Sequence, residues 1–136
     1  MTNTINASLF QEMIQAASTR LNNQAEYVNS LNVFPVPDGD TGTNMGMTIT
    51  NGAKAVSDNT GETVGQVAAI LSKGLLMGAR GNSGVILSQI FRGFGQAIKD
   101  EDVFTAENLA KAFQNGVEVA YKAVMTPVEG TILTVS

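Results

Sequence analysis

Cysteine and histidine are both absent from this chain of 136 residues. Without cysteine there is no disulfide, no zinc–thiolate centre and no thiol nucleophile. Without histidine the commonest general base and the commonest transition-metal ligand are gone. Any chemistry must run on carboxylates, hydroxyls, amides, cations and a bound metal. Charge is also sparse, at 15% of residues against about 25% in an average soluble chain. Eight basic and twelve acidic residues give a net charge of −4, and no basic stripe is present. Nucleic acid and anionic membrane are therefore poor candidates as partners. An anionic ligand would be held mainly by metal and backbone amides. No apolar run approaches the roughly 20 residues that span a bilayer. The N-terminus lacks the positive-then-apolar pattern of a signal peptide. A cytoplasmic protein is the default expectation.

What is present reads as helix. The length suits one domain, able to hide roughly two-thirds of its unfolded surface. Ser8 is placed to cap a helix carrying Leu9, Met13, Ile14, Ala17 and Leu21 at three-to-four spacing. A half-helix follows over about Ala25 to Leu31, then a loop from Asn32 to Gly42, then a helix from about Thr43 to Ser57. Thr63 is placed to cap a helix through Val67, Leu71 and Leu75. A strongly apolar helix is expected from about Ser83 to Lys99, and Thr105-Ala-Glu-Asn108 opens another that ends near Met125. Pro127 is expected to stop it, with a new helix starting at Gly130-Thr131. No segment alternates over strand length, and there is no internal repeat. Met45, Met47, Met77 and Met125, with Phe91, Phe94 and Phe113, are expected to fill the core. The apolar ending Thr131-Ile-Leu-Thr-Val-Ser136 is expected to be a helix start cut inside a larger domain.

Three loop-to-helix segments carry the chemistry. In Leu31-Asn-Val-Phe-Pro-Val-Pro-Asp-Gly-Asp-Thr-Gly-Thr-Asn-Met45 two carboxylates, Asp38 and Asp40, flank a glycine. Magnesium takes one or two carboxylates and completes its shell with phosphate and water oxygens. Gly39 allows the turn that aims both carboxylates at one point, and Asn32 offers a further neutral oxygen. The spacing excludes an EF-hand, because Thr43 and Ile49 stand where glycine and glutamate belong. The same residues also suit a simple turn with Asp40 capping the next helix. Thr41-Gly-Thr-Asn44 follows at a helix start, where amides and hydroxyls suit phosphate oxygens or ordinary capping. Gly78-Ala-Arg-Gly-Asn-Ser-Gly84 is neither a Walker A loop nor a dinucleotide fingerprint. Its glycines, Asn82 and Ser83 still fit a phosphate loop, or a plain helix–helix connection. Pro127-Val-Glu-Gly-Thr131 is the third such segment.

Taken together and in this order, these motifs resemble the ATP-binding L-subunit of dihydroxyacetone kinases. The resemblance to the N-terminal kinase domain of bacterial fatty acid kinases is closer. It rests on Asn32 to Met45, on Gly78-Ala-Arg-Gly-Asn-Ser-Gly-Val-Ile-Leu-Ser-Gln89 and on Pro127-Val-Glu-Gly-Thr-Ile-Leu-Thr-Val135, and it extends over the whole chain. It implies an all-α, up-and-down antiparallel helical barrel of about eight helices, of which about six fall within residues 1–136. It implies ATP bound at one rim with two magnesium ions. The metal pair matches Asp38 and Asp40, which would also be the catalytic residues. The third metal position falls on Asn32, with one extra residue between, where the dihydroxyacetone kinases carry aspartate. Thr41 replaces the histidine of many members. Thr43 and Asn44 match positions near the nucleotide phosphates, Gly81, Asn82, Ser83 and Gly84 match the phosphate loop, and Thr131 falls at the third nucleotide-facing loop.

The activity implied is ATP- and magnesium-dependent phosphoryl transfer to the carboxylate of a fatty acid carried by a separate protein. That carrier would dock mainly on regions beyond this chain. Such an acceptor is already ionised near neutral pH, so a chain without histidine is compatible with it. Two alternatives stand beside this reading: a dihydroxyacetone-type kinase subunit, and a non-catalytic helical module that binds lipid or a partner.

Overall fold

A computed structural model of the chain describes residues 4–30, 40–59 and 61–135, with side chains described as far as residue 123. The protein is all-α. Its helices are α1 (Ala7–Asn23), α2 (Ala25–Ser30), α3 (Thr41–Asp58), α4 (Val64–Met77), α5 (Gly81–Ile98) and α6 (Ala106–Val135). Two short strands, β1 (Thr4–Ile5) and β2 (Phe104–Thr105), pair antiparallel. They tie the N-terminal segment to the α5–α6 connection. At two residues each, they fall below what alternation in a sequence can reveal.

Most helix starts follow the local chemistry. Thr63 caps α4 through its hydroxyl, which accepts from the Gln66 amide at 3.1 Å. Thr105 and Asn108 cap α6 reciprocally, at 3.1 and 3.3 Å. The cap of α1 is Asn6, whose side-chain oxygen accepts from the Leu9 amide at 2.9 Å. It takes the place expected for Ser8, because the helix starts at Ala7. The first amides of α4 are satisfied from a distance: Val64 and Gly65 donate to the carbonyls of Asp102 and Glu101 at 3.1 and 3.0 Å.

α6 departs from expectation. It continues as one helix of 30 residues through Pro127, where a stop and a fresh start were expected. A proline removes one donor and crowds the preceding turn, at a cost of about 3 kcal/mol. The backbone can still propagate past it, because each further residue adds its own hydrogen bond.

Neighbouring helices run antiparallel. Asn22 and Gln15 of α1 bond Thr50 and the Ala53 carbonyl of α3, at 2.9 and 2.8 Å. Asn51 of α3 donates to the Gly74 carbonyl of α4 at 2.6 Å. Asn115 of α6 donates to the Gly93 carbonyl of α5 at 2.7 Å. At that crossing a Cβ on Gly93 would lie 2.7 Å from the Gly116 Cα, so the two backbones meet where only glycine fits. α3 and α5 therefore run parallel, and their N-termini share one end of the molecule.

The core is centred on Phe94, which is fully buried and has the rings of Phe10, Phe91, Phe104 and Phe113 within 4.8 to 6.2 Å. Val56, Val67, Leu71, Leu75 and Ile98 extend it. Phe91 packs against this cluster and Phe113 is partly exposed. Two expected core methionines lie outside: Met47 and Met77 are 46% and 76% exposed. Met77 is the last residue of α4, and Met47 faces away from the stripe Ile49, Ala53 and Val56 that buries α3. Met125 lies beyond the described side chains. Phe94→Ala is expected to destabilise the protein by about 3–5 kcal/mol in urea denaturation. Glu107→Ala, which removes the exposed 3.2 Å pair with Lys111, is expected to change stability by less than about 0.5 kcal/mol.

Candidate functional site

The parallel N-termini of α3 and α5 create the site. Asp40 is the residue before α3, in the N-cap position, and its side chain makes no capping bond to the helix. Thr41, Gly42, Thr43 and Asn44 form the first turn. Gly81, Asn82, Ser83 and Gly84 form the first turn of α5. The helix starts at Gly81, two residues before the expected Ser83, so the whole segment belongs to the helix end. Gly81 has φ +66°, the left-handed conformation that a side chain disfavours. A Cβ there would also lie 3.0 Å from the side-chain carbon Cγ of Asn44.

A buried hydroxyl joins the two turns. Thr48, fully buried, donates to the Asn44 carbonyl at 2.8 Å and accepts from the Arg80 amide at 3.1 Å. Gly84 packs directly on the same hydroxyl. Across the gap, Ser83 Oγ donates to the Thr41 carbonyl at 3.4 Å. The α3 side is braced by α2: Asn29 accepts from the Thr43 amide at 3.0 Å and donates to the Thr43 hydroxyl at 2.8 Å. Gly42 lets α3 touch the Ala25 carbonyl, with Val28 Cβ only 2.9 Å from where its own Cβ would stand.

Helix starts leave amides without intrahelical acceptors. Among the described residues, the amides of Thr41, Gly42, Gly81, Asn82 and Ser83 have no acceptor. Those of Asn44 and Gly84 close the first helical bonds, to Asp40 and Arg80 at 2.9 and 3.1 Å. Five open donors and the positive ends of two helix dipoles therefore converge on one rim. Such an arrangement stabilises phosphate oxygens without a basic side chain.

The rim thus brings together Asp40, Thr41, Thr43, Asn44, Gly81, Asn82, Ser83 and Gly84. Thr43 contributes with its amide already engaged by Asn29. Thr131 lies on α6, which runs antiparallel to α5, and its side chain is outside the described set. Asp38 and Asn32 lie outside the described residues altogether. Among the described residues no group of three acidic or other strong ligand side chains is clustered to hold a metal. Two contributors escaped the sequence reading. Thr48 left one trace, a polar residue on the apolar stripe of α3. Asn29 left none, because its role depends on α2 folding back on α3.

A helical bundle with two helix starts of open amides beside a carboxylate offers the kind of donors that an anionic ligand such as a phosphate needs. The DAK2 domain model matches residues 35–136, and the chain belongs to that family, which is related to the dihydroxyacetone kinase L-subunit and whose members bind ATP or ADP. Its relatives include an uncharacterized protein of Staphylococcus haemolyticus, 58% identical over 136 residues. Uncharacterized proteins of Staphylococcus epidermidis and Staphylococcus aureus are 57% identical over the same length. Each alignment takes in all of this chain and 25% of the relative. The chain spans about a quarter of the length of the curated relatives it matches. No helix among the described residues is long and apolar enough to cross a membrane.

Thr48→Val removes the hydroxyl from both bonds. It is expected to cost about 1–3 kcal/mol and to weaken nucleotide binding in the same preparation, as read by thermal denaturation and calorimetric titration. Gly81→Ala is expected to cost about 1–2 kcal/mol through the left-handed backbone alone, lowering the melting temperature by several degrees.

Proposed function

We propose that this chain is the ATP-binding part of a kinase that phosphorylates the carboxylate of a fatty acid presented by a separate carrier protein, giving an acyl phosphate. The observation that carries the nucleotide half of this reading is the set of five open amides on two parallel helix starts beside Asp40. Membership of the DAK2 family supports it. The choice of acceptor rests on the resemblance of the Asn32 to Met45 segment to fatty acid kinases.

Phosphoryl transfer needs positioning and charge neutralisation more than covalent chemistry. The amides of Thr41 and Gly42 and of Gly81 to Ser83 would take the phosphate oxygens. Thr43, Asn44 and Gly84 would hold the shape of that cradle, and Thr131 would face the nucleotide from α6. Asp40, with Asp38 and Asn32, would supply the hard oxygen ligands that magnesium prefers. Two such ions, when bound, would neutralise the phosphate charge. A carboxylate acceptor is already ionised near pH 7 and needs no base, which suits a chain without histidine. ATP as donor places the reaction in the cytoplasm.

Calorimetric titration with ATP, with and without magnesium, tests the nucleotide half. Binding is expected only when magnesium is present. Asp38→Ala and Asp40→Ala are each expected to abolish it. Normal magnesium–ATP binding by both variants would remove the site assignment. An acceptor assay with the longer protein, comparing carrier-bound fatty acid with dihydroxyacetone, tests the other half. Turnover of dihydroxyacetone alone would reassign the acceptor.

A further inference from the structure

A cleft of about 320 Å³ opens along the flank of α3, between the end of α1 and the α4–α5 turn. Asn22, Met47, Thr50, Asn51, Lys54 and Arg80 line it. It contains no residue from Thr41 to Asn44 or from Gly81 to Gly84, and it adjoins that rim only through Arg80, the residue before α5. Its size lies at the lower end of small-molecule sites, which run from roughly 300 to 1,000 Å³.

Its charge is opposite to that of the protein. The chain carries a net −4, yet the lining has two cations and no carboxylate. Neither Lys54 nor Arg80 has an ion-pair partner among the described residues; the pair found there is Lys111–Glu107. The neutral groups set the walls. The Asn22 amide is committed to the Ser18 carbonyl and the Thr50 hydroxyl, at 2.8 and 2.9 Å. The Asn51 amide is committed to Gly74 at 2.6 Å. Because the Thr50 hydroxyl accepts from Asn22, its own hydrogen remains for a ligand. The Arg80 backbone is fixed by Thr48, and Lys54 stands six residues further along α3, about 9 Å at 1.5 Å per residue. Two cations, one a planar fork and one a point charge, therefore line the same cleft as the Thr50 hydroxyl. That combination suits phosphate oxygens.

We propose that this cleft binds a small phosphorylated anion through Lys54, Arg80 and the Thr50 hydroxyl, at a site distinct from the nucleotide rim. The test is an amide NMR titration of the whole chain with pyrophosphate, without magnesium, at constant ionic strength set with chloride. Saturable shifts at Asn51, Lys54 and Gly78 are expected. Lys54→Gln is exposed and leaves every bond described above intact. It is expected to weaken the pyrophosphate affinity read from those shifts by about two- to fivefold, the loss of one exposed charge contact, while magnesium–ATP shifts at Thr43 and Gly81 stay as in the parent chain. Pyrophosphate shifts confined to the first turns of α3 and α5, equal affinity in Lys54→Gln, or an equal response to chloride alone would each overturn the proposal.

Discussion

The hydroxyl of Thr48 is the joint on which the candidate site depends. It holds the start of α5 through the Arg80 amide and the first turn of α3 through the Asn44 carbonyl. Being fully buried, it has no water to replace either partner, so both bonds persist together or fail together. Gly84 leaves room for it, and Gly81 supplies the backbone conformation that brings α5 to this point. The two helix starts are thereby fixed against each other before any ligand arrives. Preorganised donors of this kind cost nothing to reorganise when charge appears between them.

The rest of the fold explains why that joint can hold. Antiparallel neighbours leave α3 and α5 parallel, so their open amides face the same end. The aromatic cluster around Phe94 lies further along α5, where it binds α5 to α1, α6 and the β2 strand. Burial supplies the stability there, and the rim carries the polar groups. Core and rim occupy different stretches of the same helices, which lets the rim keep unsatisfied donors without weakening the packing.

The sequence made the helices legible because apolar residues at three-to-four spacing coincide with real burial in α1, α3 and α4. Thr63 and Thr105 marked helix starts correctly because capping is local chemistry. Pro127 misled because the cost of one lost donor was read without the length of helix around it. Met47 and Met77 misled because residue type was read without the face or the helix end on which each falls, and on α5 much of the buried face is made by small residues, Gly84, Ser88, Gly93 and Gly95, which hydrophobic periodicity does not count. The rim motifs were visible as turn-forming, hydroxyl-rich segments. Their convergence was not, since Thr48, Asn29 and Arg80 meet only through tertiary contacts separated by 14 and 32 residues.

The bonds between Asn29 and Thr43 have a consequence for the segment between them. They pin its two ends to each other from outside the segment. The first turn of α3 is therefore held against α2 when the bundle folds, and a ligand need not supply that ordering. Evolution could retune what the rim holds by editing residues outside the helices, with the helices serving as a fixed chassis.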